Sequence, residues 1–261
     1  MANPKPYTVL VTGAASGIGR CFTQHYLSQS NTIVIAADIN EINISTPSSR
    51  PDGQENELIK IQIDMSSTIS IEEEVRNLKS YWTIPPLDLI IHSAGIRGLV
   101  PAVESSQPNN PVAAETLQTM TAETMLRTYQ INTLGTFTLL QSLANHDLFH
   151  LPDSTNASPT KVIIMSSRMG SLSYNTAGGG YAYRASKAAL NAIVRSMSLD
   201  LRHVIFALVH PGRVETGLTM CREEGAIEVE ESVGDMLKVI DGLEWKDSGR
   251  FMDRWGVDIG W

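Results

Sequence analysis

Tyr183 and Lys187 stand four residues apart in the stretch YAYRASKAALN, 181–191. At that spacing two side chains share one face of a helix. A phenol, with an ordinary pKa near ~10, is a poor base at neutral pH, and a neighbouring ammonium favours its phenolate. The pair therefore has the make-up of a general acid/base for a carbonyl or an alcohol oxygen. Tyr181 has Ala185 at the same offset and gains nothing from it, so it is expected to pack or to form a wall.

A second constellation lies near the start of the chain. VLVTGAASGIGR sets Gly13, Gly17 and Gly19 directly after a β-branched run and at the opening of a helical segment. Glycines there let the backbone turn tightly and approach a pyrophosphate, whose charge the helix N-terminal N–H groups receive. Asp38 closes the next β-branched run, about twenty residues on. Its carboxylate can accept both ribose hydroxyls of an adenosine and would repel a 2′-phosphate. NAD(H) is therefore favoured over NADP(H), which Arg20 beside the loop keeps open. Asp64 ends a third such run, where it could reach an adenine amino group or cap the helix that follows.

The elements that must carry these residues alternate regularly. YTVLVTG, NTIVIAAD, ELIKIQIDM, LDLIIHSAG, TKVIIMSS and VIFALVHPG read as strands. Helical periodicity follows over 17–30, 69–82, 121–145 and 183–201. Near-continuous apolar strands separated by helices predict an α/β fold: a doubly wound parallel sheet with helices on both faces. Ligands then belong at the carboxyl ends of the strands. No linker or repeat divides the chain, so 1–261 is expected to be a single domain. Three segments break the rhythm: polar loops at 45–56 and 151–159, and a long Pro/Asn-rich stretch at 97–120. A connection as long as the last is usually functional or disordered.

Composition narrows the partners. With 28 acidic and 20 basic residues the formal charge is −8, which argues against a nucleic-acid backbone. Cys21 and Cys221 lie far apart and lack metal-ligand spacing, so free thiols and no metal are expected. No apolar run approaches the ~18 residues of a membrane span, and the first residues have no signal architecture. The expectation is a soluble, cytoplasmic protein.

Taken together, TGAASGIG (12–19), Asp64, SAG (93–95), Asn132 in INTLG, SS (166–167), YAYRASK (181–187) and PGRVET (211–216) resemble the short-chain dehydrogenase/reductase family in its T-G-x-x-x-G-x-G variant. Within it, the C-factor and sniffer-like carbonyl reductases are most similar, through YAYRASKAALN, HPGRVET and the C-terminal GRFMDRWGVDIGW. The resemblance implies a Rossmann-type fold and a nicotinamide-dependent carbonyl/alcohol interconversion by an Asn132, Ser167, Tyr183 and Lys187 set. Tyr183 would be the acid/base. Lys187 would tune it and hold the nicotinamide ribose, and Ser167 rather than Ser166 would bond the substrate oxygen. Asn132 with Lys187 would hold a relay water. The implied cofactor residues are Gly13, Ser16, Gly17, Ile18, Gly19, Asp38, Asp64, Ala94, Gly95, Tyr183, Lys187, Pro211, Gly212, Val214 and Thr216.

Arg97, Arg168, Met169, Tyr174 and Met220 are candidate neighbours of a small carbonyl or alcohol substrate, and 97–120 is either a roof over that site or a surface elaboration. The acidic 217–232 segment suggests an open pocket or an unusual lid. The family commonly forms homodimers or homotetramers, so the same is expected here. One departure stands out: HSAG replaces the usual NNAG or NAG, and His92 is expected to be a hydrogen-bonded core residue. Non-redox isomerisation, cyclisation or dehydration on this fold, and a cofactor-sensing regulator without turnover, are the competing readings. The complete reactive set speaks against the last.

Overall fold

A computed structural model describes residues 5–45, 56–151, 158–219, 221–222 and 224–261. Among the described residues, seven strands form one parallel sheet: β1 Tyr7–Thr12, β2 Thr32–Asp38, β3 Glu57–Gln62, β4 Leu89–His92, β5 Thr160–Met165, β6 Val204–His210 and β7 Arg250–Asp253. Their order is β3-β2-β1-β4-β5-β6-β7. β1 thus has β2 on one side and β4 on the other, with Val9 opposite both Val34 and Leu89. That reversal of strand order at β1 opens a crevice at the carboxyl ends, where doubly wound sheets bind ligands.

Side-chain alternation divides the core into two layers. Leu10, Ile35, Ile90 and Val162 point to one face, where α2 (Thr68–Ser80), α5 (Thr136–Asn145) and α6 (Tyr181–Asp200) add Leu78, Leu140 and Leu190. Val9, Val11, Val34 and Ile163 point to the other, against Phe22 and Tyr26 of α1 (Gly17–Ser28) and Met236 of α7 (Val229–Gly242). Burial on both faces explains why the central strands read as continuous apolar runs.

Several boundaries differ from those read in the sequence. β7 was not anticipated, because four residues with a charge at each end carry no readable alternation. α7 also escaped notice: its opening acids, Glu230 and Glu231, suit a helix N-terminus but hide the apolar spacing of Val233, Met236 and Ile240. The long helix at 121–145 is three pieces: α4 (Ala122–Tyr129), a π-helical turn (Gln130–Gly135) and α5. The 97–120 segment is folded, with α3 (Pro101–Ser106) and a 3-10 turn (Pro111–Glu115). Asp64 and Ser167 lie two residues beyond their strands rather than ending them. Most of the loops at 45–56 and 151–159 falls outside the described residues. No described helix is long and apolar enough to cross a membrane.

Candidate active site

A cavity of about 850 Å³ runs along the carboxyl ends of β2, β1, β4, β5 and β6. Asp38, Gly13, Ser93 to Gly95, Met165 with Ser166, and Pro211 line it in that spatial order. Tyr183 and Lys187 of α6, Ser16, Gly17 and Ile18 of the glycine loop, Asp64, and Thr216 also line it.

The loop after β1 is built for close approach. Gly13 has φ of +70°, a left-handed conformation in which an L side chain is strained. A Cβ on Gly19 would collide with the Gly13 carbonyl, so α1 can start against the loop only with glycine there. Ser16 takes the N-cap position without a side-chain capping bond, and Ser16, Gly17 and Ile18 at the opening of α1 line the cavity. These features fit a dinucleotide pyrophosphate. Asp38 is buried. Its Oδ2 accepts from Ala15 N (3.0 Å), which ties the loop to β2, and its Oδ1 accepts from Asn40 N (2.8 Å). Asp64 accepts from Ser66 N and Oγ through Oδ1, a turn-capping arrangement, while still lining the cavity.

At the other end, Tyr183 and Lys187 are both buried, with Lys187 Nζ 5.7 Å from the phenol ring centroid. Lys187 Nζ donates to Met165 O (2.8 Å). Its pKa is lowered from 10.5 to about 8 because burial strips the ammonium of solvent. Gly95 makes room at this point. A Cβ there would lie 3.0 Å from Asn132 Oδ1 and 3.8 Å from Lys187 Nζ.

Asn132 sits in the π-helical turn. Oδ1 accepts from Ile96 N (2.8 Å), and Nδ2 donates to Ile96 O (2.9 Å) and Ser186 Oγ (3.1 Å). Both side-chain N–H groups are thereby committed to the chain itself, and only a second Oδ1 lone pair is left for a water. Ser166 donates its hydroxyl to Asn191 Oδ1 (2.6 Å). Ser167 accepts from Met169 N (3.2 Å), so its proton is still available to an incoming oxygen. Ser166 rather than Ser167 lines the cavity in this conformation.

His92 lies beneath this layer, fully enclosed. Thr136 gives its hydroxyl proton to Asn132 O, so it accepts from His92 Nε2–H (2.8 Å). Thr12 Oγ1 accepts from Ser93 N and Ala94 N, so its proton goes to His92 Nδ1 (2.9 Å). The ring is thus neutral with its proton on Nε2. Burial, then the Lys187 charge, pushes its pKa from 6.5 down to about 3. His92 is a girder between β1, β4 and the first residue of α5.

The candidate substrate residues separate. Arg97 lines the cavity and stacks on Tyr183. Arg168 pairs with Asp253 (3.0 Å) and stacks on the Tyr174 ring (5.4 Å); neither residue lines the cavity, nor does Met169. Met220 lies outside the described residues. Val214 bridges to Ile227, and Arg222 pairs with Glu215 and Glu228, so the excursion after β6 is pinned at its base. Tyr181 opens α6 at the surface. Glu115 was missed by sequence reasoning. It is the bidentate partner of Arg97, and no local spacing links residues eighteen apart across a folded loop.

The short chain dehydrogenase family model matches residues 7–226. The chain is a short-chain dehydrogenase/reductase. An oxidoreductase of this family works with a nicotinamide cofactor on a small-molecule substrate. This dehydrogenase/reductase is 40% identical over 178 residues to the C-signal protein of Myxococcus xanthus, covering 67% of this chain and 93% of the other. It is 30% identical over 270 residues to the short chain dehydrogenase gsfK of Penicillium aethiopicum, covering 98% and 100%. The NADPH-bound carbonyl reductase from chicken fatty liver superposes with a TM-score of 0.77 at 28% identity, covering 99% of this chain and all of that one. The carbonyl reductase Sniffer of D. melanogaster has the same TM-score and coverage at 22% identity, which shows the fold.

Proposed function

We propose that this short-chain dehydrogenase/reductase reduces a ketone or aldehyde of a small organic substrate, reversibly, and that it favours NAD(H). The observation that carries the reading is the buried Tyr183–Lys187 pair at the wall of a cavity that also contains the glycine loop and Asp38. The glycine loop, Asp38 and Lys187 would hold a dihydronicotinamide cofactor, which would supply the hydride for the carbonyl carbon. Tyr183 gives its phenolic proton to the carbonyl oxygen, and in the reverse direction its phenolate takes the proton of the alcohol. Lys187 favours that phenolate while protonated. Ser167 donates to the substrate oxygen and steadies its developing charge, once a ligand draws its hydroxyl towards the cavity. Asn132 fixes the backbone of Ile96 at the cavity edge. Asp38 accepts the adenosine ribose hydroxyls and disfavours a 2′-phosphate. The whole chain works as one unit, and a homodimer or homotetramer is its expected state.

Single-turnover consumption of bound NADH against a panel of carbonyl compounds tests the reaction. Native protein is expected to consume NADH, and Tyr183→Phe to be slowed by at least about a hundredfold. Equal rates for the two proteins would remove Tyr183 from the mechanism. The cofactor preference is read from NADH and NADPH affinities, with Asp38→Ala as the control. Tighter binding of NADPH by the native protein would overturn it.

A further inference from the structure

A second cation lies against the phenol. The Arg97 guanidinium carbon is 5.2 Å from the Tyr183 ring centroid, closer than Lys187 Nζ at 5.7 Å. Arg97 is held there by Glu115, which accepts from Nε and Nη2 at 3.0 Å each. Both side chains are largely buried, with side-chain exposures of 14% and 8%. Two parallel N–H···O bonds fix the plane of a guanidinium as no single ammonium contact can.

Glu115 is itself anchored to the helix that bears Tyr183. Its backbone carbonyl accepts from Gly180 N (3.0 Å), and Gly180 is the N-cap of α6 with φ of +60°. The 97–120 segment is therefore a strut. It leaves β4, folds back so that Val100 N donates to Ala114 O (3.0 Å), and meets α6 one turn before Tyr183. A surface elaboration would not bury an ion pair beside the reactive ring, because desolvating two charges is costly.

We infer that Arg97 is a positioning residue for Tyr183: clamped by Glu115, it holds the phenol in place and favours its phenolate. Ionisation makes the ring face more electron-rich, so a cation over that face is attracted more strongly to the phenolate than to the phenol. The charges around the ring are Lys187 on its own helix, Arg97 from the segment after β4, and Glu115 behind Arg97. Asp38, Asp64, Glu104, Glu123 and Arg127 line the same cavity from β2, the turn after β3, α3 and α4. Glu115 opposes Arg97 electrostatically even as it orients it, and this gives the two residues opposite expected effects. The significance for catalysis rests on the reading of Tyr183 as the acid/base.

The test is the tyrosinate absorbance of the ligand-free protein as a function of pH, taken as the difference between each variant and its Tyr183→Phe counterpart. In Arg97→Met/Glu115→Gln, which keeps side-chain volume and leaves no unpaired charge, the Tyr183 midpoint should rise by about one unit. Glu115→Gln alone, whose amide oxygen still accepts from Arg97 while the opposing charge is gone, should lower it. A midpoint unchanged or lowered in the double variant would overturn the inference, and so would equal midpoints for Glu115→Gln and the double variant, which would leave the Arg97 charge without effect. The readout involves no turnover. A failed hydride-transfer assay therefore sinks the proposed function without touching this result, and the converse also holds.

Discussion

At the scale of single residues, His92 shows how a departure from the family pattern was absorbed. An asparagine at this position would be neutral at every pH, whereas histidine becomes an acid-sensitive post. Its folded pKa of about 3 lies below its ordinary 6.5. Between those values the unfolded chain carries the proton and the native one does not, so stability falls as pH drops through that window. The slope is up to about 1.4 kcal/mol per pH unit. Between pH 7 and pH 5, native protein should lose about 2 kcal/mol more than His92→Asn, measured by urea unfolding. His210, lowered to about 4 by burial and then by Arg168, has the same sign and remains in the variant, so a residual slope persists. The identity of His92 as a core residue could be read from its place at a strand end. Its tautomer could not, because that depends on Thr12 and Thr136, which sit 80 and 44 residues away.

At the scale of elements, the π-helical turn between α4 and α5 is where sequence reading met its limit. Apolar periodicity runs through 121–145 without a break, and the extra residue that widens the turn changes only the phase by a fraction of a turn. The widening lets Asn132 reach the Ile96 backbone while Gly135 presses on β3's exit. A Cβ at Gly135 would collide with the carbonyl oxygen of Met65. Gly135→Ala should therefore destabilise the fold by about 2 kcal/mol or more, although alanine is the better helix former. Thermal unfolding decides it, and an unchanged midpoint would mean the contact relaxes freely. The Tyr183–Lys187 face of α6 was legible because i,i+4 spacing is local. The Arg97–Glu115 clamp was not, since it depends on how a Pro-rich segment folds back.

At the scale of the molecule, the alternation of strands and helices dictates the parallel sheet and puts the site at its carboxyl edge. The seventh strand escaped because its place is set by β6 rather than by its own four residues. The same scale is where cofactor binding should be visible. A ligand that binds only the native state at about a hundred times its Kd stabilises it by about 2.7 kcal/mol. For a chain of this size NADH should then raise the unfolding midpoint by about 5 °C or more. Tyr183→Phe should retain that shift, and Gly19→Ala, which cannot close the loop, should lose it. If both variants respond alike, the glycine loop is not the pyrophosphate cradle. β7 also bears on the order of assembly. β6 is complete at His210, about forty residues before its outer partner begins at Arg250. Until β7 docks, that flank of β6 is bare, and bare edges recruit other strands.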